Sequence, residues 1–163
     1  MKNIFAVLLG LWISMLPSSL WAGTTINTIG SRDGIAIGGL DSVAFFQQKK
    51  AVRGSAEFSY DWSGAKWHFS PAENMAQFKA NPEKWAPQYG GHCSLGASEG
   101  YLSNKQTSGL FEIVNDKLYL FPHGNRSETG AYNDWMNGGG GPIRRIESGD
   151  RNWPRLKATL EAK

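Results

Sequence analysis

Two stretches of this chain each set a pair of strand-like runs around a turn, and this repeated pattern constrains the fold more than any other feature. Glu57–Tyr60 and Lys66–Phe69 flank Asp61–Gly64, and Phe111–Val114 and Lys117–Phe121 flank Asn115-Asp116. Asn, Asp and Gly turn the backbone most readily, so both stretches predict β-hairpins. Strand side chains alternate between faces. Trp67 and Phe69 therefore share one face, and Lys66, His68 and Ser70 the other. Ile35–Ile37 and Val43–Phe46, set around Gly38, Gly39 and Asp41, read as further short strand-like runs.

Helices are expected between and after the hairpins. Ser70, Pro71 and Glu73 are spaced like an N-cap, a first helical residue and the far end of a capping box. Met75 and Phe78 come next at helical spacing. Asn81-Pro82 ends that helix and starts a short second one anchored by Trp85. Tyr89–Gly96 reads as a loop leading into a helix. Glu128–Met136 predicts a helix with Tyr132, Trp135 and Met136 on one side. Gly138–Gly141 and Pro142 form the clearest break, and Asn152–Leu160 predicts a final helix with Pro154 near its start. The sum is an α+β fold, a small antiparallel sheet of two hairpin-like pairs packed with several short helices in a single domain. A parallel α/β fold is disfavoured, because helices do not regularly separate the strands. A length of 163 residues with 40% hydrophobic side chains suits one domain with a real core.

Residues 1–22 read as an address rather than as part of the fold. Lys2 gives a positive start, Ile4–Leu16 is an uncharged apolar run, Pro17 to Ser19 break it, and Ala22 offers a cleavage site. That layout is a secretory signal peptide, and the run is shorter than the ~20 residues a spanning helix needs. The expected location is periplasmic or secreted, with no stable membrane insertion after cleavage. Residues 23–33 read as a polar N-terminal arm and 34–163 as the folded domain. The net charge of +3 is too small and too scattered to argue for nucleic acid.

Export sharpens the meaning of the single cysteine. Cys93 has no partner for an internal disulfide. In an oxidising compartment a lone thiol is buried, metal-bound, paired to another chain or reactive. Cys93 comes directly after His92, and a thiolate beside an imidazole suits copper or zinc. The plainer alternative is a buried Cys acting as a small hydrophobe, with His92 turned to solvent. His68 falls on the polar strand face and His123 in a Pro-His-Gly turn. If all three histidines converged on Cys93, the ligand count would suit a closed tetrahedral site. Asp41, Met75 and Met136 are substitute ligands, although Met on a helix face is more often core.

Other patterns carry less. The tryptophans and tyrosines could line a pocket for a sugar or a flat ligand, but large aromatics are also efficient core fillers. Gly138–Gly141 before Arg144 and Arg145 lacks the strand–loop–helix setting of a phosphate site and reads as a loop. There is no H-E-x-x-H and no paired-carboxylate motif, so an enzyme is disfavoured.

Five segments together resemble the YHS-domain family, in particular its exported single-domain branch. They are GLDSVAFF (39–46), AVRGSAEFSYDWSGAKWHFSPAEN (51–74), FKANPEKWAPQYGGHCSLGASEGY (78–101), FEIVNDKLYLF (111–121) and DRNWPRL (150–156). The resemblance spans roughly 34–156 and implies a small α+β module. It also implies transition-metal binding, since better-understood members, including domains attached to copper-transporting pumps, bind metals through cysteines. Ala44, Ser70 and Asn74 stand where those cysteines would be, so that thiolate set cannot be carried over. Cys93, after Tyr-Gly-Gly, is the cysteine that the exported branch retains.

The leading expectation is an exported, non-catalytic module binding copper first, or zinc, through Cys93 with His92, His68 and His123. The alternatives are a metal-free interaction or structural module with an unidentified periplasmic protein partner, and a thiol redox protein using Cys93.

Overall fold

The computed structural model describes residues 23–122 and 126–163. The expected signal segment 1–22 and His123 lie outside the described residues. The chain is α+β, as expected. Helix α1 (Ser42–Gln48) precedes a hairpin of β1 (Ser55–Trp62) and β2 (Ala65–Phe69). Helices α2 (Ala72–Ala80), α3 (Pro82–Trp85) and α4 (Ser94–Glu99) come next. A second hairpin, β3 (Thr107–Val114) and β4 (Lys117–Pro122), leads to α5 (Arg126–Asn137) and α6 (Gly141–Glu161). Both hairpins are antiparallel, but they form two separate two-stranded sheets rather than one. No helix of the described residues is long and apolar enough to cross a membrane.

Both hairpins turn on two residues with positive φ: Ser63 and Gly64 in the first, Asn115 and Asp116 in the second. Such turns match the right-handed twist of the flanking strands. The predicted alternation in β2 holds, with Ala65, Trp67 and Phe69 buried and Lys66 and His68 half-buried. β4 is buried on both faces beyond its first residue. Leu118 and Leu120 enter one apolar cluster with Phe45, Trp67, Phe69 and Phe78. Tyr119 and Phe121 enter a second, with Tyr89, Cys93, Trp135 and Leu156. One strand is thus a partition between two cores.

Four sequence expectations need correction, the last of them the start of the final helix. Val43–Phe46 is helical, because the Asp41 carboxylate accepts from the amides of Val43 (2.9 Å) and Ala44 (3.1 Å) and caps α1. Ile35–Ile37 is not a strand either. It runs into a 3-10 turn at Ala36–Gly39, with an isolated β-bridge from Ile35 to Lys66. Ser70 does not cap α2: the helix starts one residue later than expected, so the N-cap position falls to Pro71, and the Ser70 amide donates to Asp41 (2.7 Å).

The last helix begins at Gly141 rather than at the expected Asn152, about three turns earlier, and Pro154 lies well inside it. Proline removes one helical hydrogen bond and crowds the preceding turn. Packing against α4 offsets this. Asn152 donates to the carbonyls of Ala97 and Ser98 (3.1 Å each), Arg155 donates to Gly100 (2.8 Å), and Leu156 is buried.

The arm at 23–33 is packed into the body. Buried Asn27 donates its backbone amide to Gly90 and accepts from that of Ile37, and its side-chain amide donates to the Gly91 carbonyl at 3.2 Å. Ile26 joins the first core.

Candidate functional site

Asp41 is the polar centre of the first half. It is 0% exposed. One carboxylate oxygen accepts from the amides of Val43 and Ala44, and the other from the Ser70 amide and the Asn74 side-chain amide at 2.8 Å. Asn74 also donates to the Ser70 carbonyl at 3.4 Å. A buried carboxylate is tolerated only when its oxygens are satisfied, and four donors achieve that here. Positions 44, 70 and 74, where the resemblance implies thiolates, thus each place an atom about the same carboxylate. Ala44 and Ser70 meet it through their backbone amides, and Asn74 through its side-chain amide. This donor set does not fit a soft metal ion, which selects thiolate and imidazole.

Cys93 lies on the other side of the partition. It is 6% exposed and packs in the second core. It is the N-cap of α4, and its sulfur accepts from the Gly96 amide at 3.5 Å. Burial pushes its thiol pKa up, against the opposing amides of Gly96 and Leu95. A raised pKa means less thiolate, hence a weaker nucleophile and a poorer ligand at neutral pH.

His92 is 4% exposed rather than turned to solvent. Its backbone is extended (φ −69°, ψ 161°), and that of Cys93 is close to extended (φ −53°, ψ 118°). Successive side chains on extended backbone diverge. The imidazole accordingly walls a cleft between the arm and the end of α6, near Thr24, Leu102 and Lys163. Burial lowers the pKa to about 4, opposed by the Thr25 backbone and assisted by Lys163.

His68 sits apart from both. It lines a groove with Arg32, Asp33, Arg53 and Gln106. Burial, then the neighbouring Lys66 charge, lowers its pKa. Cys93 packs in the second core, His92 walls the cleft beside the arm, and His68 lies in a different cleft. Among the described residues, no group of three or more His, Cys, Asp or Glu side chains is arranged to hold a metal ion. Met75 packs against the first core and Met136 against the second, as helix-face core residues.

Sequence reasoning missed the Asp41–Asn74 pair. The available signal was Asp-Ser-Val-Ala, an acidic N-cap before apolar residues, which reads equally as a turn beside a strand. It also missed Tyr89, whose backbone has positive φ (54°) although the residue is bulky. No family model, no curated protein and no solved structure matches this chain.

Proposed function

We propose that this protein is an exported, non-catalytic binding module of the YHS type that works without a bound transition metal. One observation carries the reading. Ala44, Ser70 and Asn74 are spread along the sequence, yet each has an atom between 2.7 and 3.1 Å from the Asp41 carboxylate. Their convergence supports the resemblance, which assigns a joint role to those positions. Their chemistry favours a fold that fills the site with hydrogen bonds: Asn74 donates its amide to Asp41, and no thiolate is present there to attract copper or zinc. The start of the chain, from Lys2 through Ile4–Leu16 to Ala22, supports export. A buried thiol with raised pKa speaks against redox chemistry at Cys93.

Thermal melts of the processed protein with copper(I) under reductant, copper(II) and zinc test this reading. A native-state ligand at 100 times its Kd stabilises by about 2.7 kcal/mol, which for a chain of this size raises Tm by on the order of 5–10 °C. The expected result is no such shift with any of the three metals. A shift that disappears in Cys93→Ser would overturn the proposal and restore Cys93 as a metal ligand.

A further inference from the structure

We propose that the cleft between Trp62 and Trp153 binds a neutral carbohydrate. The inference deepens the binding-module reading and rests on it. The cleft holds about 370 Å³, within the range of small-molecule sites. Its walls come from the arm, the first hairpin turn, α3, the segment before α4, and α6. It therefore lies where the halves of the molecule meet, a common setting for ligand sites.

The two indoles are held from behind. Trp62 packs on Trp67 (ring centroids 5.8 Å apart) and edge-on against Phe78 (5.7 Å). Trp153 packs on Tyr89 at 5.7 Å. Both are half-buried, and both line the cleft. A pyranose ring presents a face of C–H bonds, slightly positive, that suits the negative face of an indole. Fixed indoles also lose little freedom on binding.

The polar groups suit hydroxyls better than ions. Glu83 and Asp150 offer acceptors, Lys157 offers donors, and Gln88 offers both. A hydroxyl group is itself donor and acceptor, so it can use all four. Two carboxylates, with the one ammonium of Lys157 already paired with Glu161 at 3.6 Å, disfavour phosphate and other anions.

Tyr89 supplies an independent observation. A bulky residue at φ 54° is strained, and such strain is retained where the surroundings require one conformation. Here it sets the Tyr89 hydroxyl 3.0 Å from an Asp150 carboxylate oxygen, to which it donates. Gly149 makes room, because a side-chain carbon there would overlap that hydroxyl. Strained backbone and bare glycine together orient one cleft carboxylate.

The test is titration of the processed protein, with chelator present, with cellotetraose, maltotetraose and chitotetraose, read by tryptophan fluorescence and calorimetry. The expected result is saturable binding of at least one of them. Trp153→Ala should weaken it about tenfold, the scale of one ring contact. Glu83→Gln, at an exposed position, should weaken it about threefold with unchanged Tm. No saturable binding up to about 10 mM would overturn the proposal. So would affinity that survives both substitutions, or saturable binding of choline in place of all three sugars. The chelator separates these outcomes from failure of the metal-free reading, which metal-induced melting shifts alone would reveal.

Discussion

The two cores on either face of β4 solve the same packing problem with different treatment of polar atoms. On the Leu118 and Leu120 side, aromatic rings stack around Phe78, and the polar groups converge on Asp41 and are satisfied. On the Tyr119 and Phe121 side, Trp135 in the core and Arg145 on α6 each have a buried side-chain nitrogen lacking a partner among the described residues. Among those same residues, Ser42 has the only comparable atom on the first side. An unpaired buried polar atom forfeits about 1–3 kcal/mol that a partner would have returned. The first half is therefore built as a scaffold. The strained Tyr89 and the tryptophan cleft both border the second.

The strongest way to break this contrast is to remove its hub. Asp41→Ala leaves three backbone amides without an acceptor and the Asn74 amide with only its long contact to the Ser70 carbonyl. The expected loss is about 4–6 kcal/mol, comparable to the whole stability of a marginal domain. Urea denaturation would show it as a collapse of the midpoint. Asp41→Asn, which keeps one acceptor oxygen, should lose visibly less.

Acid should act on the second half. The folded pKa of His92 is held at about 4, below the ordinary 6.5, so between those values the unfolded chain takes up a proton that the folded chain refuses. Stability is therefore present above pH 6.5 and lost as pH falls toward 4, by about 3 kcal/mol in full. Denaturation at pH 7 and pH 4.5 should show this loss, and His92→Leu should show a shallower one.

Two matched substitutions compare the cores directly. Trp67 donates its indole N–H to the Trp62 carbonyl at 3.1 Å, whereas the Trp135 N–H has no partner among the described residues. Trp67→Phe should cost about 2–3 kcal/mol, through a cavity and an abandoned carbonyl. Trp135→Phe should cost only about 1 kcal/mol, because it removes an unpaired group along with the volume. Equal losses in calorimetric Tm would erase the distinction.

The smallest effect is expected at Cys93. Cys93→Ala deletes a buried sulfur and a weak cap, at about 1 kcal/mol. Iodoacetamide should modify the native thiol more slowly at pH 7.5 than it modifies a free model thiol, given the raised pKa. A faster rate would point instead to an activated cysteine.

The hairpins were legible in the sequence because both signals are local. Ser63-Gly64 and Asn115-Asp116 mark the turns, and alternation marks the faces of β2. α1 was not legible, because its Val and two Phe residues carry strand propensity while one capping carboxylate decides the outcome. The start of α6 was hidden for a similar reason. Gly149 and Pro154 weaken any local case for a helix, and contacts of Asn152 and Arg155 with α4 make up the difference. At the candidate site, the sequence identified Cys93 and His92 as unusual. It could not show that their side chains diverge, or that His92 is buried.

The sequence alone determined the features that nearest neighbours along the chain dictate: an α+β fold, two hairpins, a lone cysteine, and alternation that sends Trp67 and Phe69 inward. The tertiary structure decided whatever depends on distance through space. It gathered positions 44, 70 and 74 about one carboxylate, placed His68 in a different cleft from His92, and set Trp62 and Trp153 in the walls of one cleft. Local propensity acts over a few residues, whereas burial and hydrogen-bond satisfaction are settled only when distant segments meet.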